Sequence, residues 1–345
     1  MTPRTAYTSS IFGIIAAAIL AACTPADKQA DKQADNGQTA SAPAASAAEQ
    51  KKIAITAIAD HPALDTIRAG VLDGLKAEGF EEGKNLTVDF QSAQGSTANA
   101  AQIAKKFAGA NPDAIIAITT PSAQAVAAAT KNIPLVYTAV TDPVGAKLVP
   151  SLEPSHTNIT GVSDELPVGP QIDLMKKLVP NLKTIGYVYS PAEVNSTTVL
   201  ERLKAKAAEQ NIEVAAAPAQ RSADVLTAAR SLGGKADVIF TSLDNNVVSS
   251  YESMYKASME LKIPLVASDA DSVTRGAVAA LGMDSFGTGQ KAGKLAAAVL
   301  KGGKPGDMPS EKLDQLDLYL SKKHAAALGI TLPEELLKEA KEVKE

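Results

Sequence analysis

Residues 113–126 read DAIIAITTPSAQAV, and this stretch decides the fold of the chain. An apolar run of strand length ends abruptly in two threonines, a proline and a serine, and an alanine-rich helical pattern follows at once. A buried strand that leads directly into a helix is typical of a parallel sheet covered by helices on both faces. A second strand that begins with aspartate, DVIFTSLD from residue 237, occupies the matching place in the second half of the chain.

Strands and helices alternate outward from this stretch. The first half predicts strands at 52–58, 85–91, 113–118 and 133–138, with helices at 63–78, 98–108 and 122–130. The second half repeats this order, with strands at 184–190, 212–218, 237–243 and 263–268 and helices at 194–210, 223–232 and 247–261. The tetrapeptide IPLV occurs at 133–136 and again at 263–266, which supports an internal repeat. The tail adds strands at 276–284 and 316–321 and helices at 287–300, 322–328 and 333–343.

These patterns indicate an α/β protein of two Rossmann-like parallel α/β lobes with a ligand cleft between them. A chain of 345 residues is long for one ordinary domain, which favours two lobes. We expect lobe 1 to comprise 51–163 plus 276–305. Lobe 2 would comprise 164–275 plus 306–345, because the tail reads as crossing to the first lobe and then returning.

The first 50 residues have a different character from this body. Arg4 is followed by an apolar run at 11–20, which is too short to span a bilayer, and then by LAAC at 20–23. Small residues before a cysteine resemble a bacterial lipobox, which implies a signal peptide at 1–22 and lipidation of Cys23. Residues 23–50 repeat the unit ADKQ without hydrophobic periodicity, which predicts a flexible tether. The alternative is an ordinary buried cysteine after a signal peptide.

Composition excludes several classes of function. A net charge of −4 offers no basic patch for nucleic acid, so no nucleic-acid partner is expected. The single cysteine and three scattered histidines give neither a disulfide framework nor a metal-ligand spacing. No phosphate-binding loop, dinucleotide fingerprint or nucleophile elbow is present. We therefore expect no metal, no cofactor and no catalytic residues. The aromatic content of 4%, without tryptophan, argues weakly against a sugar-stacking site.

Polar residues gather where the predicted strands end. In open α/β sheets, ligands bind beyond the carboxyl ends of the strands, so facing lobes would bring these residues to one cleft. The candidate ligand-binding residues are His61, Thr120, Ser122, Thr141, Asp142, Asn195, Ser196, Asp244, Asn245 and Asp269.

The chemistry of these residues suggests an amino acid as the ligand. Backbone amides and the hydroxyls of Thr120 and Ser122, at the start of a helix, could hold a carboxylate. The carboxylates of Asp142, Asp244 and Asp269 could hold an ammonium group. Each residue also has a simpler interpretation, because serine and threonine after a strand commonly cap helices and aspartate before proline forms turns. His61 before Pro62 could equally be a solvated loop residue.

Six segments together carry a family resemblance. They are HPALDTIRAGVLDGL from residue 61, AVTDPVGAKLV from 139, NITGVSD from 158, YSPAEVNS from 189, SLDNNVVSS from 242 and SDADSVTRGAVAALGMD from 268. In this order, from about residue 51 to 328, they resemble substrate-binding lipoproteins of bacterial ABC importers, in particular the group that binds tryptophan and other aromatic amino acids. The resemblance implies a type I periplasmic-binding-protein fold with three crossovers between lobes, closure around the ligand, and ligand loops that match the candidate residues.

We therefore expect a non-enzymatic, monomeric binding protein. It would be anchored to a membrane through Cys23, exposed to the periplasm or cell exterior, and would deliver tryptophan or another aromatic amino acid to the permease subunits of an ABC transporter. Alternatives are a binding protein for a sugar or nucleoside, a hydrolytic enzyme that uses the same cleft, and a sugar-sensing regulator. The regulator lacks support because the sequence has no DNA-binding headpiece and begins with a lipoprotein signal.

Overall fold

The computed structural model describes residues 50–313 and 315–345. The first part alternates strands and helices as β1 (Lys51–Ala57), α1 (Pro62–Ala77), β2 (Leu86–Ser92), α2 (Thr97–Ala110), β3 (Ala114–Ile118), α3 (Thr120–Ala129), β4 (Leu135–Val140) and β5 (Ile159–Ser163). The expected strands and helices of the first half are therefore present, and β5 is an addition that the sequence analysis did not predict.

The second part continues the alternation. Its elements are α4 (Val168–Leu178), β6 (Thr184–Tyr189), α5 (Val194–Ala208), β7 (Glu213–Pro218), α6 (Val225–Arg230), β8 (Val238–Thr241), α7 (Asn245–Ser249), α8 (Tyr251–Leu261), β9 (Leu265–Ala267), α9 (Asp271–Arg275) and β10 (Ala279–Gly282). The chain ends with α10 (Ser285–Leu300), β11 (Glu311–Lys312), β12 (Asp317–Ser321), α11 (Lys322–Ala327), α12 (Glu334–Glu339) and β13 (Glu342–Lys344).

These strands form two sheets. The first has the order β11-β5-β4-β3-β1-β2, and its strand pairs are parallel. The second has the order β13-β12-β10-β9-β8-β6-β7, with β12 antiparallel to β10. We call the first sheet with its helices lobe 1 and the second sheet with its helices lobe 2. The chain passes between the sheets after β5, after β10 and after β11, as the family resemblance implied.

Each sheet is buried on both faces, which explains why its strands read as continuous apolar runs. In lobe 1, Ile53, Ile55 and Ile116 pack against α1 and α10, and the opposite face, with Ile115 and Ala117, packs against α2 and α3. In lobe 2, one face packs against α4 and α5 and the other against α6 and α8.

The tail pairs differently from the expected division into lobes. Strand β10 lies within 276–305, which was assigned to lobe 1, yet it pairs with β9 and β12 in the second sheet. The reason is α9, a five-residue helix that supplies the crossover needed to bring a parallel neighbour to β9. Conversely, β11 lies within 306–345, assigned to lobe 2, and pairs with β5 in the first sheet. The helix α10 follows the expectation and packs on lobe 1.

Two expected helices are interrupted. The segment 247–261 forms α7 and α8 instead of one helix, because the backbone of Ser250 has φ −117° and ψ 33° and breaks the helical path. The segment 333–343 forms α12 and then β13, which adds an edge strand beside β12.

Candidate functional site

A cavity lies where the carboxyl ends of strands from both lobes meet. The space between its lining atoms amounts to about 710 Å³, with the part that is open to solvent included. Its lining consists of His61, Ala63, Leu64, Ile67, Thr119, Thr120, Ala139, Ser285 and Thr288 from lobe 1, Asn195, Leu243, Asn245, Val248, Ser268 and Asp269 from lobe 2, and Asp164, Leu166 and Met283 from the connections.

The structure brings half of the candidate residues to this cavity. The lining includes His61, Thr120, Asn195, Asn245 and Asp269. The remaining candidates do not line it, and they are Ser122, Thr141, Asp142, Ser196 and Asp244. Contact with a ligand stays a prediction for all ten.

The lobe 1 wall contains the start of α3. Its hydroxyls do not cap the helix, because the cap residue Thr119 makes no side-chain hydrogen bond to the first turn. Within the described part of the chain, the hydroxyls of Thr119, Thr120 and Ser122 are buried without a hydrogen-bond partner. The first turn of a helix also leaves backbone N–H groups free and attracts negative charge. Thr119 and Thr120 line the cavity, so their free hydroxyls can bind an anion there.

Two residues with unusual backbone shape this wall. Thr119 has φ 83°, a conformation that a β-branched residue adopts only under strain. Ala139 has φ 54° and lies at an irregularity in the pairing of β4 with β5. Both line the cavity, at the carboxyl ends of neighbouring strands. Strained backbone of this kind concentrates at binding sites.

An acidic residue that the sequence analysis missed lies beside the end of β4, where its backbone N–H donates to the carbonyl of Val140. Asp164 follows β5 directly and lines the cavity, and its Oδ1 atom is buried with no hydrogen-bond partner among the described residues. Burial raises its pKa to about 6, although the Thr141 hydroxyl beside it offsets part of the rise. A buried carboxylate without a cation is costly, so Asp164 is poised to accept a cationic group. The segment NITGVSD contains Asp164 directly after the residues that form β5. The residue was missed because that strand had not been predicted.

Asp269 and Asp244 occupy different environments. Asp269 lines the cavity, and its carboxylate accepts hydrogen bonds from the backbone N–H and the hydroxyl of Ser272, at 2.9 and 2.6 Å. Asp244 is fully buried behind the cavity and caps α7. Its carboxylate accepts from the backbone N–H groups of Ser190 and Val247 and from the hydroxyls of Ser190 and Ser196. Because these donors already satisfy it, Asp244 with Ser196 ties loops of lobe 2 together.

Asp142 also has a partner other than a ligand. Its Oδ2 atom lies 3.1 Å from Nη2 of Arg202, a residue of α5 in lobe 2, and its Oδ1 atom accepts from the backbone N–H of Gly145. Nη1 of Arg202 lies 3.2 Å from Glu165. The carboxylate that was expected to hold an ammonium group therefore forms an ion pair between the lobes.

His61 lines the cavity as an uncharged side chain. Burial, together with the nearby Arg275 charge, lowers its pKa to about 4, so the imidazole is neutral near pH 7. Its Nδ1 atom is buried and has no hydrogen-bond partner in the described ranges. A neutral imidazole can donate to or accept from a polar group on a ligand.

The rest of the lining is aliphatic. Leu64, Ile67, Leu166, Leu243, Val248 and Met283 supply apolar surface. The lining contains no Phe, Tyr or Trp side chain. An apolar group of a ligand would therefore pack against aliphatic side chains and a methionine thioether rather than stack on a ring.

Other expectations concern metals, membranes and Cys23. Within residues 50–313 and 315–345, no cluster of three or more His, Cys, Asp or Glu side chains is arranged to hold a metal ion. No helix of the described segments has the length and apolarity to cross a bilayer. Cys23, with the signal peptide and the tether, lies outside the described residues.

Comparison with known proteins identifies relatives over nearly the whole body. The model of a family described as ABC transporter substrate binding protein matches residues 52–344. A protein named Tyrosine-binding protein, from Clostridioides difficile (strain R20291), is 41% identical over 282 residues, which is 82% of this chain and 82% of that protein.

Two solved structures share the fold and part of the sequence. An ABC domain from Streptococcus pneumonia in complex with L-Trp is 35% identical, with a TM-score of 0.83 over 86% of this chain and all of the other. The ligand-free, open structure of a substrate binding protein with adhesive properties from Clostridium difficile is 39% identical. Its TM-score is only 0.65, over 85% of this chain and 99% of the other.

Proposed function

The chain belongs to the family of ABC transporter substrate-binding proteins, and from this premise we propose that its cavity captures an aromatic amino acid. Proteins of this family bind small molecules outside the cytoplasm and work with ABC permeases. The relatives named above, one called tyrosine-binding and one solved with L-Trp, support tyrosine or tryptophan as the ligand.

The observation that carries this proposal is that the cavity lining combines two sets of unsatisfied polar groups with apolar side chains. The start of α3 offers free hydroxyls and helix N–H groups for a carboxylate. Asp164 offers an unpaired carboxylate for an ammonium group. Leu64, Ile67 and Met283 belong to the apolar lining that would contact the side chain. A free α-amino acid with a large apolar side chain satisfies these groups together.

We further propose that the described conformation is the closed one and that opening of the lobes admits and releases the ligand. The chain matches the L-Trp-bound domain better in shape than the ligand-free, open protein, although it is slightly less identical to the former in sequence. The ion pair between Asp142 and Arg202 joins the lobes in this conformation. The boundaries of the lobes remain part of this proposal, with 276–284 moved to lobe 2 to follow the pairing of β10 and 311–312 moved to lobe 1 to follow the pairing of β11.

The anchor and the oligomeric state are also proposals. We propose that Cys23 carries a lipid that holds the protein at a membrane, on the lipobox resemblance of residues 20–23, and that the protein acts as a monomer without catalytic activity. Membrane fractionation of cells that express Cys23→Ala tests the anchor. Release of the variant into the soluble fraction supports lipidation, and unchanged membrane retention contradicts it.

A thermal-shift screen of the full chain against the twenty amino acids, common sugars and nucleosides tests the ligand class. A ligand that binds the folded state alone raises the melting temperature. We expect the largest shifts with tyrosine and tryptophan and clearly smaller shifts with their decarboxylated or deaminated analogues at the same concentration. A shift with a sugar or nucleoside, and none with amino acids, contradicts the assignment of the α3 hydroxyls to a carboxylate and of Asp164 to an ammonium group.

A further inference from the structure

Glu193 is a buried acidic residue close to the cavity that plays no part in the proposed carboxylate or ammonium contacts. It lies in YSPAEVNS, between β6 and α5, and is only 7% exposed. It does not line the cavity. Its neighbours Asn195 and Asn245 do, so Glu193 lies behind the amide side chains that face the ligand.

One oxygen of Glu193 joins both of these asparagines. Oε2 accepts from Nδ2 of Asn195 at 3.1 Å, from Nδ2 of Asn245 at 2.7 Å and from the backbone N–H of Asn245 at 3.2 Å. An ionised carboxylate only accepts hydrogen bonds. Both side-chain amides accordingly turn their NH₂ groups towards Glu193 in the structure.

Two hydrogen bonds orient the side-chain amide of Asn195. Its Nδ2 atom also donates to the backbone carbonyl of Leu243 at 3.1 Å, so both neighbours on that side are acceptors. Its Oδ1 atom is left buried without a hydrogen-bond partner in the described part of the chain. A buried amide oxygen without a donor costs free energy, so this atom needs a donor that the protein does not supply.

The buried carboxylate of Glu193 is unfavourable for the stability of the folded protein. The described residues place no cationic side chain against it, and the like charge of Asp244 is near. Burial, with that charge as a second cause, raises the pKa of Glu193 to about 7. A glutamine of the same shape would avoid the buried charge, but its amide could present a donor as well as an acceptor to the asparagines.

We propose that Glu193 is a positioning residue that sets the ligand preference of the lobe 2 wall. By drawing both NH₂ groups away from the cavity, it leaves Asn195 to present an amide oxygen, which selects ligands that carry a hydrogen-bond donor, the ammonium group of an amino acid. This inference rests on the proposed function of the same cavity and assigns a role to a residue that never contacts the ligand.

The test is the ratio of two affinities measured by titration calorimetry with the full chain. The ligands are L-tyrosine and its desamino analogue, in which a hydrogen replaces the ammonium group. The wild-type protein should prefer tyrosine strongly. In Glu193→Gln the new amide can direct its own NH₂ at Asn195, whose oxygen then turns towards position 193 and whose NH₂ leaves the Leu243 carbonyl and faces the ammonium group. The preference should then fall by up to about tenfold, the effect of one hydrogen bond. Glu209→Gln, at the far end of α5, is the matched control and should keep the wild-type ratio.

Each outcome decides one claim. A wild-type protein that binds neither tyrosine nor another amino acid contradicts the proposed function, before any variant is considered. A wild-type preference that Glu193→Gln retains in full overturns the role of Glu193 and leaves the function intact. A general loss of stability would weaken the binding of both ligands equally, so a lower ratio is specific to the ammonium group. If Glu193→Gln does not fold, Glu193→Asp replaces it, because a carboxylate shortened by one methylene no longer reaches both amides. An unchanged ratio in that variant also overturns the proposal.

Discussion

Asp164 shows how a single side chain can be costly to the protein and useful to a binding site. A buried carboxylate with an unsatisfied oxygen destabilises the empty protein, and a ligand cation that pairs with it removes that penalty on binding. Asp244, which looked equivalent in sequence, is surrounded by four hydrogen-bond donors and has no such capacity left. The sequence revealed that acidic residues follow several strands, but the number of donors around each one depends on the fold.

Replacement of Asp164 by asparagine should separate binding from stability. We expect the affinity for tyrosine to fall by about 1.5–3 kcal/mol, roughly 10- to 150-fold, because a charge-assisted contact to the ammonium group is lost. The melting temperature of the empty protein should stay the same or rise, because an unpaired buried charge is removed. Calorimetric titration and thermal unfolding measure the two effects. Asp173→Asn on the exposed face of α4 is the control, and equal tyrosine affinity in both variants would contradict the assignment of Asp164.

The same residue predicts a pH dependence. Its pKa is raised from 3.8 to about 6 in the folded protein, so the charged form is the disfavoured one there. The empty protein should therefore lose stability as the pH rises from about 4 to about 6. The proposed ammonium contact requires the charged form of Asp164, so the dissociation constant for tyrosine should increase as the pH falls below about 6, by up to about tenfold per pH unit. Glu193, with a pKa of about 7, also changes charge nearby.

Titrations at several pH values between 5 and 8 check this dependence. Comparison with Asp164→Asn assigns it, since that variant cannot ionise at this position and should lose the part of the slope that lies below pH 6. A slope that is the same in the wild type and in Asp164→Asn would assign the titration to another group.

At the scale of elements, α1 and α10 pack unusually closely through glycine. A Cβ atom added at Gly289 would lie 2.1 Å from the carbonyl oxygen of Ile67, and one at Gly70 would lie 2.2 Å from that of Phe286. Gly74 and Gly293 extend this seam one turn further along both helices. Since α10 carries Ser285 and Thr288 to the cavity, the seam fixes where that wall of the cavity lies.

Gly289→Ala should therefore destabilise the protein although alanine is the better helix former. The added methyl group must push two backbones apart, which costs about 1–3 kcal/mol or more, whereas helix propensity returns about 1 kcal/mol at most. Gly109→Ala in α2, where nothing lies within 4 Å of the new atom, isolates the propensity effect and should be neutral or stabilising. Chemical denaturation of both variants measures the difference, and equal stability would show that the seam can open without cost.

Periodicity was sufficient to predict the elements that are long or strongly apolar, and it failed for short ones. Strands β1 to β4 and their helices are continuous apolar runs or amphipathic repeats, and the two halves share their order. Strand β5 interleaves Thr160, Gly161 and Ser163 with its apolar residues, so its burial comes from neighbours rather than from its own pattern. The helix α9 has five residues, too few to show a period, and without it the pairing of β10 with β9 could not be inferred.

At the scale of the whole molecule, an ion pair connects the two lobes in addition to the polypeptide segments that cross between them. Arg202 on α5 in lobe 2 contacts Asp142 in the loop after β4 of lobe 1 and also contacts Glu165, which in turn pairs with Lys312. Such a pair exists only while the lobes are together, if the described conformation is the closed one. Any free energy it contributes then favours closure, and through closure it favours retention of the ligand.

Arg202→Gln should weaken tyrosine binding without contact with the ligand. Partly exposed ion pairs contribute about 0.2–1 kcal/mol, so a decrease in affinity of roughly 1.4- to fivefold is expected. The decrease should come from faster dissociation, because the pair forms after the ligand has entered. Added salt should weaken wild-type binding more than that of the variant.

Arg230→Gln is the matched control, because Arg230 pairs with Glu260 inside lobe 2 and its replacement should affect neither the association nor the dissociation rate. Stopped-flow measurement of both rate constants at two salt concentrations distinguishes these outcomes. A dissociation rate that Arg202→Gln leaves unchanged would mean that the ion pair does not hold the lobes closed.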